Sequence, residues 1–411
     1  MRFAWLFLLL TVPAGASWTY KGEIAAEGRG FEGDGIGQTE DAAFSGAGRL
    51  EIKGRQDSFE ERLRLFARAD SFDSDRNRFN AEEAYLGWRE GGLKIRLGAQ
   101  ILNWSATEAF HPADIVNSRN FDSNVENAEK LGEPMLMVER KLPIGRLSTY
   151  IMPYLSAPQL PGGSNRQGFA APGVEIGDAL WAEENGDLSR KAFAPQSAIR
   201  LSKNIGPADV GLHLVSHYDR SQPVLLPDPA SGKIRPIYLP MIQIGGTYLH
   251  VMGPWVFKSE LAYRGFDNPD IPTRLGPVSR PDHGQAAFGA EYGWDSLGGA
   301  QTTLIVEGQS VLAQDKQTRA DLSIFQRDVL VGLRRAFNDA PGQELFLSFI
   351  FDAERSDEFL YNAVYSRRLS DTFSAKTGFR IVQAPKKRLV AQGLETLNGS
   401  DHFFLTITRH F

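Results

Sequence analysis

Nine basic side chains recur at alternate positions of short apolar–polar stretches near the two ends of the chain. Charges at alternate positions share one face of a strand, and a wall of guanidinium and ammonium groups attracts anions. Acidic residues, among them Glu51, Asp70 and Glu83, interleave with the basic ones. Two interpretations stay open: an anion-favouring surface, or ion pairs that cancel one another and confer no selectivity. The nine residues are Arg49, Lys53, Arg62, Arg64, Arg68, Lys94, Arg96, Lys376 and Arg380.

Side chains with the chemistry of hydrolases or metal enzymes are scattered along the sequence. His213 and His217 share a strand face but lie ~13 Å apart, too far to bind one metal ion. Residues 73–84 begin with the carboxylate spacing of a calcium loop but lack its Gly and its final Glu. Neither a G-x-S-x-G nor an H-E-x-x-H motif occurs. We therefore predict no metal, no cofactor and no enzymatic activity, and keep a hydrolase built from His, Ser and Asn as an alternative.

The elements that must position these side chains are predicted to be strands, because apolar and polar residues alternate along each of them. In residues 93–101, Leu, Ile, Leu, Ala and Ile alternate with Lys, Arg, Gly and Gln. About 18 such stretches follow one another, joined in turn by compact turns and by long connections such as 102–134 and 156–195. Short turns on one side and long loops on the other are typical of barrels in outer membranes. The pattern predicts an all-β fold, a transmembrane antiparallel up-and-down barrel of about 18 strands, with 16 as the alternative.

The start of the chain predicts export. Arg2 precedes an apolar run from Phe3 to Val12, and an Ala-Gly-Ala cleavage triplet follows at residues 14–16. We assign 1–16 to a signal peptide and 17–411 to a single barrel domain, because the composition does not shift beyond residue 16. The chain has no cysteine and a net charge of −5, which argues against a nucleic-acid partner.

The last ten residues carry the first resemblance to a known family. Phe403, Leu405, Ile407 and Phe411 fall on one face of a strand, with Arg409 as the polar exception. The chain resembles bacterial outer-membrane β-barrel proteins, whose final strand alternates in this way and ends in Phe. The resemblance implies a place in the bacterial outer membrane, among lipid and lipopolysaccharide, and recognition of the last strand by the barrel-assembly machinery.

A second resemblance lies at residues 98–122. Gly98, Gln100 and Trp104 match outer-membrane porins in which a Gly-Arg-Gln strand is followed by Trp-Gly and an Asn-Pro or Asp-rich loop, although Ala99 and Ser105 replace the usual Arg and Gly. A capping pattern within this stretch predicts short helical turns that fold into the lumen or lie over its mouth. The alternative is an ordinary surface loop. The resemblance implies that five residues help form the constriction of a pore: Trp104, Asp114, Asn117, Arg119 and Asp122.

We predict from these patterns a porin-like channel for passive, selective diffusion of small solutes, with anionic or amphiphilic solutes favoured. The alternatives are a plugged barrel that acts as an adhesin or receptor, a lipid or hydrocarbon transporter, and an outer-membrane hydrolase. The sequence names neither the solute nor the oligomeric state, and both an open and a plugged lumen fit it.

Overall fold

The computed structural model describes residues 17–33, 39, 41–122, 126, 128–190, 193–312 and 315–411. The assigned signal peptide, residues 1–16, lies outside the described residues. Eighteen antiparallel strands pair in chain order and form one closed sheet, so the predicted fold and strand number are confirmed. The strands are β1 Ser17–Phe31, β2 Ala42–Gln56, β3 Phe59–Asp70, β4 Arg78–Glu90, β5 Leu93–Gln100, β6 Glu133–Leu142, β7 Gly145–Tyr154, β8 Phe193–Ile205, β9 Ala208–Tyr218, β10 Pro240–Met252, β11 Trp255–Gly265, β12 His283–Asp295, β13 Gln301–Leu312, β14 Asp328–Ala336, β15 Glu344–Asp352, β16 Phe359–Arg368, β17 Phe373–Gln383 and β18 His402–His410.

The barrel closes where its first and last strands meet. β18 pairs with β1 from Glu23↔His410 to Phe31↔His402. Beyond that ladder, Gly22 and Phe411 exchange both backbone hydrogen bonds, at 2.8 and 2.9 Å. The Phe411 ring covers Gly22 so closely that a Cβ at this position would lie 2.2 Å from a ring carbon. Closure removes the unpaired edge that an apolar terminal strand would otherwise expose.

The outer face of the barrel is apolar. Residues such as Ile24, Phe44, Ile244 and Phe288 expose more than half of their side-chain surface there, because strand alternation directs every second side chain outward. Trp18, Trp88, Trp255 and Trp294 lie close to the short turns, as the sequence predicted. Within the described ranges, no helix is long and apolar enough to cross a membrane.

Long connections fold back at the opposite end and carry small elements of their own. A short helix, α1, spans Lys316–Leu322. Short 3-10 turns occupy Ser74–Arg76 and Gly393–Leu397 in these connections, and a third, Leu297–Gly299, lies in the compact turn between β12 and β13 at the other end. Short strands form three minor sheets: Arg119–Asn120 with Glu129–Lys130, then Leu188–Ser189, Leu180–Ala182, Lys233–Tyr238 and Val224–Asp228 in that spatial order, and Asp270–Thr273 with Gly276–Ser279.

These connections fill much of the lumen at the long-loop end with two apolar clusters. In one, wall residues Met135, Met152 and Val215 pack against loop residues that include Ile237 and Ile271. In the other, wall residues from β12 to β17, such as Ile305 and Leu330, pack against loop aromatics. Strand alternation directs every second side chain into the lumen. At this end many inward side chains are apolar, because the buried loops give them a partner other than water.

Candidate functional site

A loop leaves the end of β5 and crosses the lumen. This crossing loop, residues 101–118, makes hydrogen bonds to β11 and β13, and β13 is eight strands away from β5 in a ring of eighteen. Its far end therefore reaches a nearly opposite wall. The short helical turns expected here do not form, because the loop consists of bends and turns. The prediction that the segment folds into the lumen is confirmed.

Glu260 of β11 fixes the tip of the crossing loop. Its carboxylate accepts hydrogen bonds from the backbone N–H groups of Ala106 (2.6 Å), Thr107 (3.1 Å) and Ala113 (3.1 Å). The Thr107 hydroxyl donates a further bond at 2.7 Å. Glu260 is fully buried, and a buried carboxylate requires several donors of this kind. One wall side chain thus holds both sides of the loop tip.

Glu307 of β13 is a second anchor beside the first. It accepts hydrogen bonds from the backbone N–H groups of Glu108 at 2.6 Å and Ala109 at 3.0 Å. The Glu108 side chain in turn pairs with Arg334 on β14 and lies 3.9 Å from Lys258 on β11. Hydrogen bonds to charged groups contribute about 1.5–3 kcal/mol each. The loop tip is therefore strongly held against three strands.

The neck of the loop is closed by Asn117 and Asp114. The Asn117 amide donates to the carbonyls of Gln100 (2.8 Å) and Leu131 (2.9 Å) and accepts from the Leu102 N–H (2.9 Å). Asp114 pairs with Lys130 and lies 3.5 Å from Arg119. Burial opposes ionisation of Asp114, but these two cations outweigh it and lower the pKa of its carboxyl.

The remaining predicted constriction residues lie at the edges of the loop. Trp104 is buried against the wall, where its ring packs against Tyr150 and the Arg200 guanidinium lies 5.0 Å from its centre. Asp122 is buried and accepts hydrogen bonds at 2.7 Å from both Arg76 and Asn165. Of the five, Asp114, Asn117 and Arg119 line cavities. Trp104 packs the loop against the wall, and Asp122 joins two other connections through Arg76 and Asn165.

Gly98 and Gln100 of the porin-like motif set the course of β5 into the crossing loop. Gly98 has φ +131°, and a Cβ there would lie 2.1 Å from the Ala84 carbonyl oxygen of the neighbouring strand. Gln100 is buried and donates to the Met135 carbonyl at 3.4 Å. These two positions of the motif thus determine the backbone geometry at the end of β5.

Gly98→Ala should destabilise the barrel by roughly 1–3 kcal/mol, because the new Cβ needs both a strained φ and a displaced neighbouring strand. Urea unfolding in lipid vesicles, followed by tryptophan fluorescence, measures the change. Gly46→Ala is the matched control, since nothing lies within 4 Å of a Cβ at this strand glycine. Equal stability of the two variants would contradict the assigned role of Gly98.

The nine basic residues named from the sequence, which we call the basic arc, face the lumen, and eight of them contact carboxylates. Arg62 lies 2.5 Å from Glu83, and Arg64 lies 2.6 Å from Glu82. Lys376 makes no ion pair within the part of the chain that the structure describes. The geometry therefore favours the compensated arrangement over an uninterrupted positive wall. The other pairs are Arg49 with Glu23 and Glu82, Lys53 with Glu51, Arg68 with Asp122, Lys94 and Arg96 with Glu60, and Arg380 with Glu126.

A β-bulge supplies two of these carboxylates. Arg64 pairs with Glu83 and Leu65 with Ala81, so Glu82 is an extra residue in β4. Both glutamates, Glu82 and Glu83, are buried inside the barrel, although successive strand residues normally face opposite ways.

Phe66 is an apolar residue among the basic side chains on the inner face of β3. The guanidiniums of Arg49, Arg68 and Arg78 lie 4.5–5.3 Å from its ring centre, which separates cations that would otherwise repel.

Between the basic arc and the crossing loop lies a polar cavity of about 640 Å³, which we call the eyelet. One side is formed by Arg49, Arg64 and Glu82 of the wall. The other side is formed by the crossing loop and by the inner hairpin that contains Arg119 and Lys130. The eyelet is the polar space that the crossing loop leaves free in the lumen.

Sequence reasoning missed the two anchors, Glu260 and Glu307. Strand alternation places both on the inner face of their strands, far from the nine basic residues. An isolated lumen carboxylate at mid-strand is a signal that could have found them, because it needs a partner from elsewhere in the chain.

The segment with calcium-like spacing, residues 73–84, begins with a turn. Asp73 caps this turn by accepting the Asp75 N–H at 2.9 Å. No group of residues able to hold a metal ion occurs among those described.

Comparison with known proteins adds little to this geometry. No protein-family model matches the chain, and no curated protein matches it. Solved structures that align with it include two engineered variants of the porin of Rhodopseudomonas blastica, at 13% identity with a TM-score of 0.46 and at 12% with 0.44. Both alignments cover 96% of this chain and 100% of the other. At these scores the likeness carries no argument of its own.

Proposed function

We propose that this protein is an outer-membrane channel for small solutes, in which the crossing loop narrows the lumen to the eyelet. The observation that carries the proposal is the loop itself, held to the far wall by Glu260 and Glu307 with a polar cavity of about 640 Å³ beside it. The apolar outer face supports a membrane location, because only lipid or another apolar surface matches it. The short turns would then face the periplasm and the long loops the exterior.

Single-channel recording of the refolded chain in a planar bilayer tests the proposal. Stable current steps are the expected result. A specific observation favours a second candidate, a plugged barrel that binds ligands at the cell surface: the two apolar clusters fill much of the lumen at the long-loop end. A folded barrel without current steps would overturn the channel proposal in favour of this second function.

We expect ion selectivity to depend on the paired charges of the wall at and beside the eyelet. Glu82→Gln with Glu83→Gln should raise chloride over potassium permeability about twofold or more, because it unmasks Arg62 and Arg64. Arg62→Gln with Arg64→Gln should shift the ratio in the opposite direction. Reversal potentials under a KCl gradient measure both shifts.

Asp178→Asn is the control for this pair of variants, since Asp178 is an exposed loop residue outside the eyelet. Its reversal potential should equal that of the unmodified protein. If both eyelet variants also left the potential unchanged, the charges of this wall would have no part in selectivity.

A further inference from the structure

A second, smaller cavity lies on the long-loop side of the crossing loop. This upper chamber has a volume of about 130 Å³. The crossing loop lines it with Phe110 and His111, and the barrel wall lines it with Arg264, Gln285 and Gln309. Extracellular loops contribute Ser323 and Phe325. An apolar cavity of about 150 Å³ holds one benzene molecule in another protein, so the chamber has the size of one small solute.

The upper chamber adjoins the eyelet. His111, Arg119 and Ala128 line both cavities. A solute released from the chamber therefore passes these three residues and enters the wider polar cavity. The chamber therefore lies on the route that the proposed channel offers, next to the eyelet on its long-loop side.

Two polar groups of the chamber have no hydrogen-bond partner among the described residues. Gln285 is 93% buried, since only 7% of its surface is exposed, and its amide makes no hydrogen bond to any described residue. Arg264 is 2% exposed; its Nε donates to Gln243 at 2.9 Å and its Nη1 to Ser221 at 2.7 Å. Its Nη2 has no acceptor in the described part of the chain. Buried polar groups normally have hydrogen-bond partners, so these two point to a ligand.

The charges around the chamber favour an anion. Arg264 and Arg280 are both buried, and the carboxylate beside them belongs to Asp219, 3.5 Å from Arg264. Arg280 donates to the backbone carbonyls of Gln222 and Asp321 and, within the described ranges, to no carboxylate. Burial opposes ionisation of Asp219, but the two guanidiniums outweigh it and lower the pKa of its carboxyl. The other charged residues of the lining are paired, Arg119 with Asp114, Arg220 with Glu133 and Glu126 with Arg380. Arg264 and Arg280 thus share the one carboxylate of Asp219 and leave a net positive charge beside the chamber.

The other lining surface is apolar. The rings of Phe110 and Phe325 meet edge to face with their centres 5.5 Å apart, and Ile324 and Phe121 continue this surface. A charged group at one end of the chamber and a compact hydrocarbon body at the other would each meet matching side chains. Neither an inorganic anion nor an uncharged apolar molecule would use both.

We propose that the upper chamber binds a small organic anion, with its carboxylate at Arg264 and Gln285 and its apolar body against Phe110 and Phe325. This inference rests on the proposed channel function and names the solute class that the channel would carry. The eyelet, with its paired charges, then passes the solute, and the chamber selects it.

Calorimetric titration of the full refolded chain in detergent, with benzoate as the probe, tests the proposal. Benzamide, which has the same ring without the charge, and acetate, which has the charge without the ring, should each bind at least tenfold more weakly. Gln285→Leu should weaken benzoate binding about tenfold through the lost hydrogen bond. Gln285→Glu should weaken it further by placing a like charge beside the carboxylate.

Gln301→Leu is the matched control, because this glutamine lies on the inner face of β13 at the short-turn end, away from the chamber. It should leave benzoate affinity unchanged. Equal affinity for benzoate and benzamide would overturn the proposal even if the Gln285 variants failed to fold, and so would undiminished binding by folded Gln285→Leu.

Bilayer recordings of the same preparations separate the two proposals. Current steps without benzoate binding would refute the chamber and leave the channel function standing. Benzoate binding by a protein that never conducts would refute the channel function and retain the chamber as a binding site.

Discussion

Replacement of both anchors, Glu260→Ala with Glu307→Ala, should raise the single-channel conductance about twofold or more. The two carboxylates accept five backbone N–H bonds and one hydroxyl bond from the crossing loop. Each bond to a charged acceptor contributes about 1.5–3 kcal/mol. Without these hydrogen bonds, the loop tip is no longer fixed at the far wall. We therefore expect the eyelet to widen. The current should also become noisier, because a free loop samples the lumen.

Glu139→Ala is the matched control for the anchor variant. Glu139 is also a lumen carboxylate, but it contacts Arg146 and Ser148 of the wall and no part of the crossing loop. Its conductance should stay close to that of the unmodified protein. If the doubly substituted protein conducted no better than this control, the crossing loop would not be the narrowest part of the channel.

Arg220→Met should destabilise the packed loops by about 3–5 kcal/mol, the usual effect of removing one partner from a buried ion pair. The Arg220 side chain lies 3.0 Å from Glu133, and both side chains are almost fully buried. Its guanidinium also donates to the carbonyls of Val116 at 2.6 Å and Ser156 at 2.8 Å. One side chain thus joins the crossing loop, the start of β6 and the connection that follows β7.

Limited proteolysis of the outer loops in intact vesicles measures this effect, because the barrel ladder itself does not depend on Arg220. Arg190→Met is the matched control. Its ion pair with Asp178, at 3.4 Å, has side chains that are 60% and 76% exposed, and such pairs contribute about 0–1 kcal/mol. Adding Glu133→Gln to Arg220→Met should restore part of the lost protection, since no unpaired buried charge remains. Protection equal to that of Arg190→Met would show that the loops do not depend on Arg220.

The sequence by itself determined the barrel. Eighteen alternating stretches, with compact turns and long connections in strict succession, admit few other folds, because period-two patterns require a sheet and an apolar outer face requires lipid or burial. The sequence of the terminal strand also indicated that the barrel closes, since an apolar edge that ends at Phe411 needs a partner such as β1. The charged members of the inner face, from Arg49 to Arg96, followed from the same parity.

The tertiary structure decided what the inside of the barrel does. Parity places Arg62, Glu83 and Glu260 in the lumen but does not say which loop or side chain meets each of them. The bulge at Glu82 reverses the parity locally, and no residue pattern in β4 announces it. The nine basic residues therefore looked like a possible positive wall, whereas their partners come from neighbouring strands and from loops.

The course of the long loops was the feature that the sequence patterns predicted least. A loop has no periodicity. The sequence could therefore assign Asn117 and Asp122 to a constriction loop, but it could not predict the hydrogen bonds that they form. Contacts such as Ala106 with Glu260 join residues 154 positions apart, and only the closed ring of strands brings them together. The upper chamber depends on the same fact, because its residues come from the crossing loop, three wall strands and two outer connections. Local patterns determined the wall, and long-range packing within it formed the site.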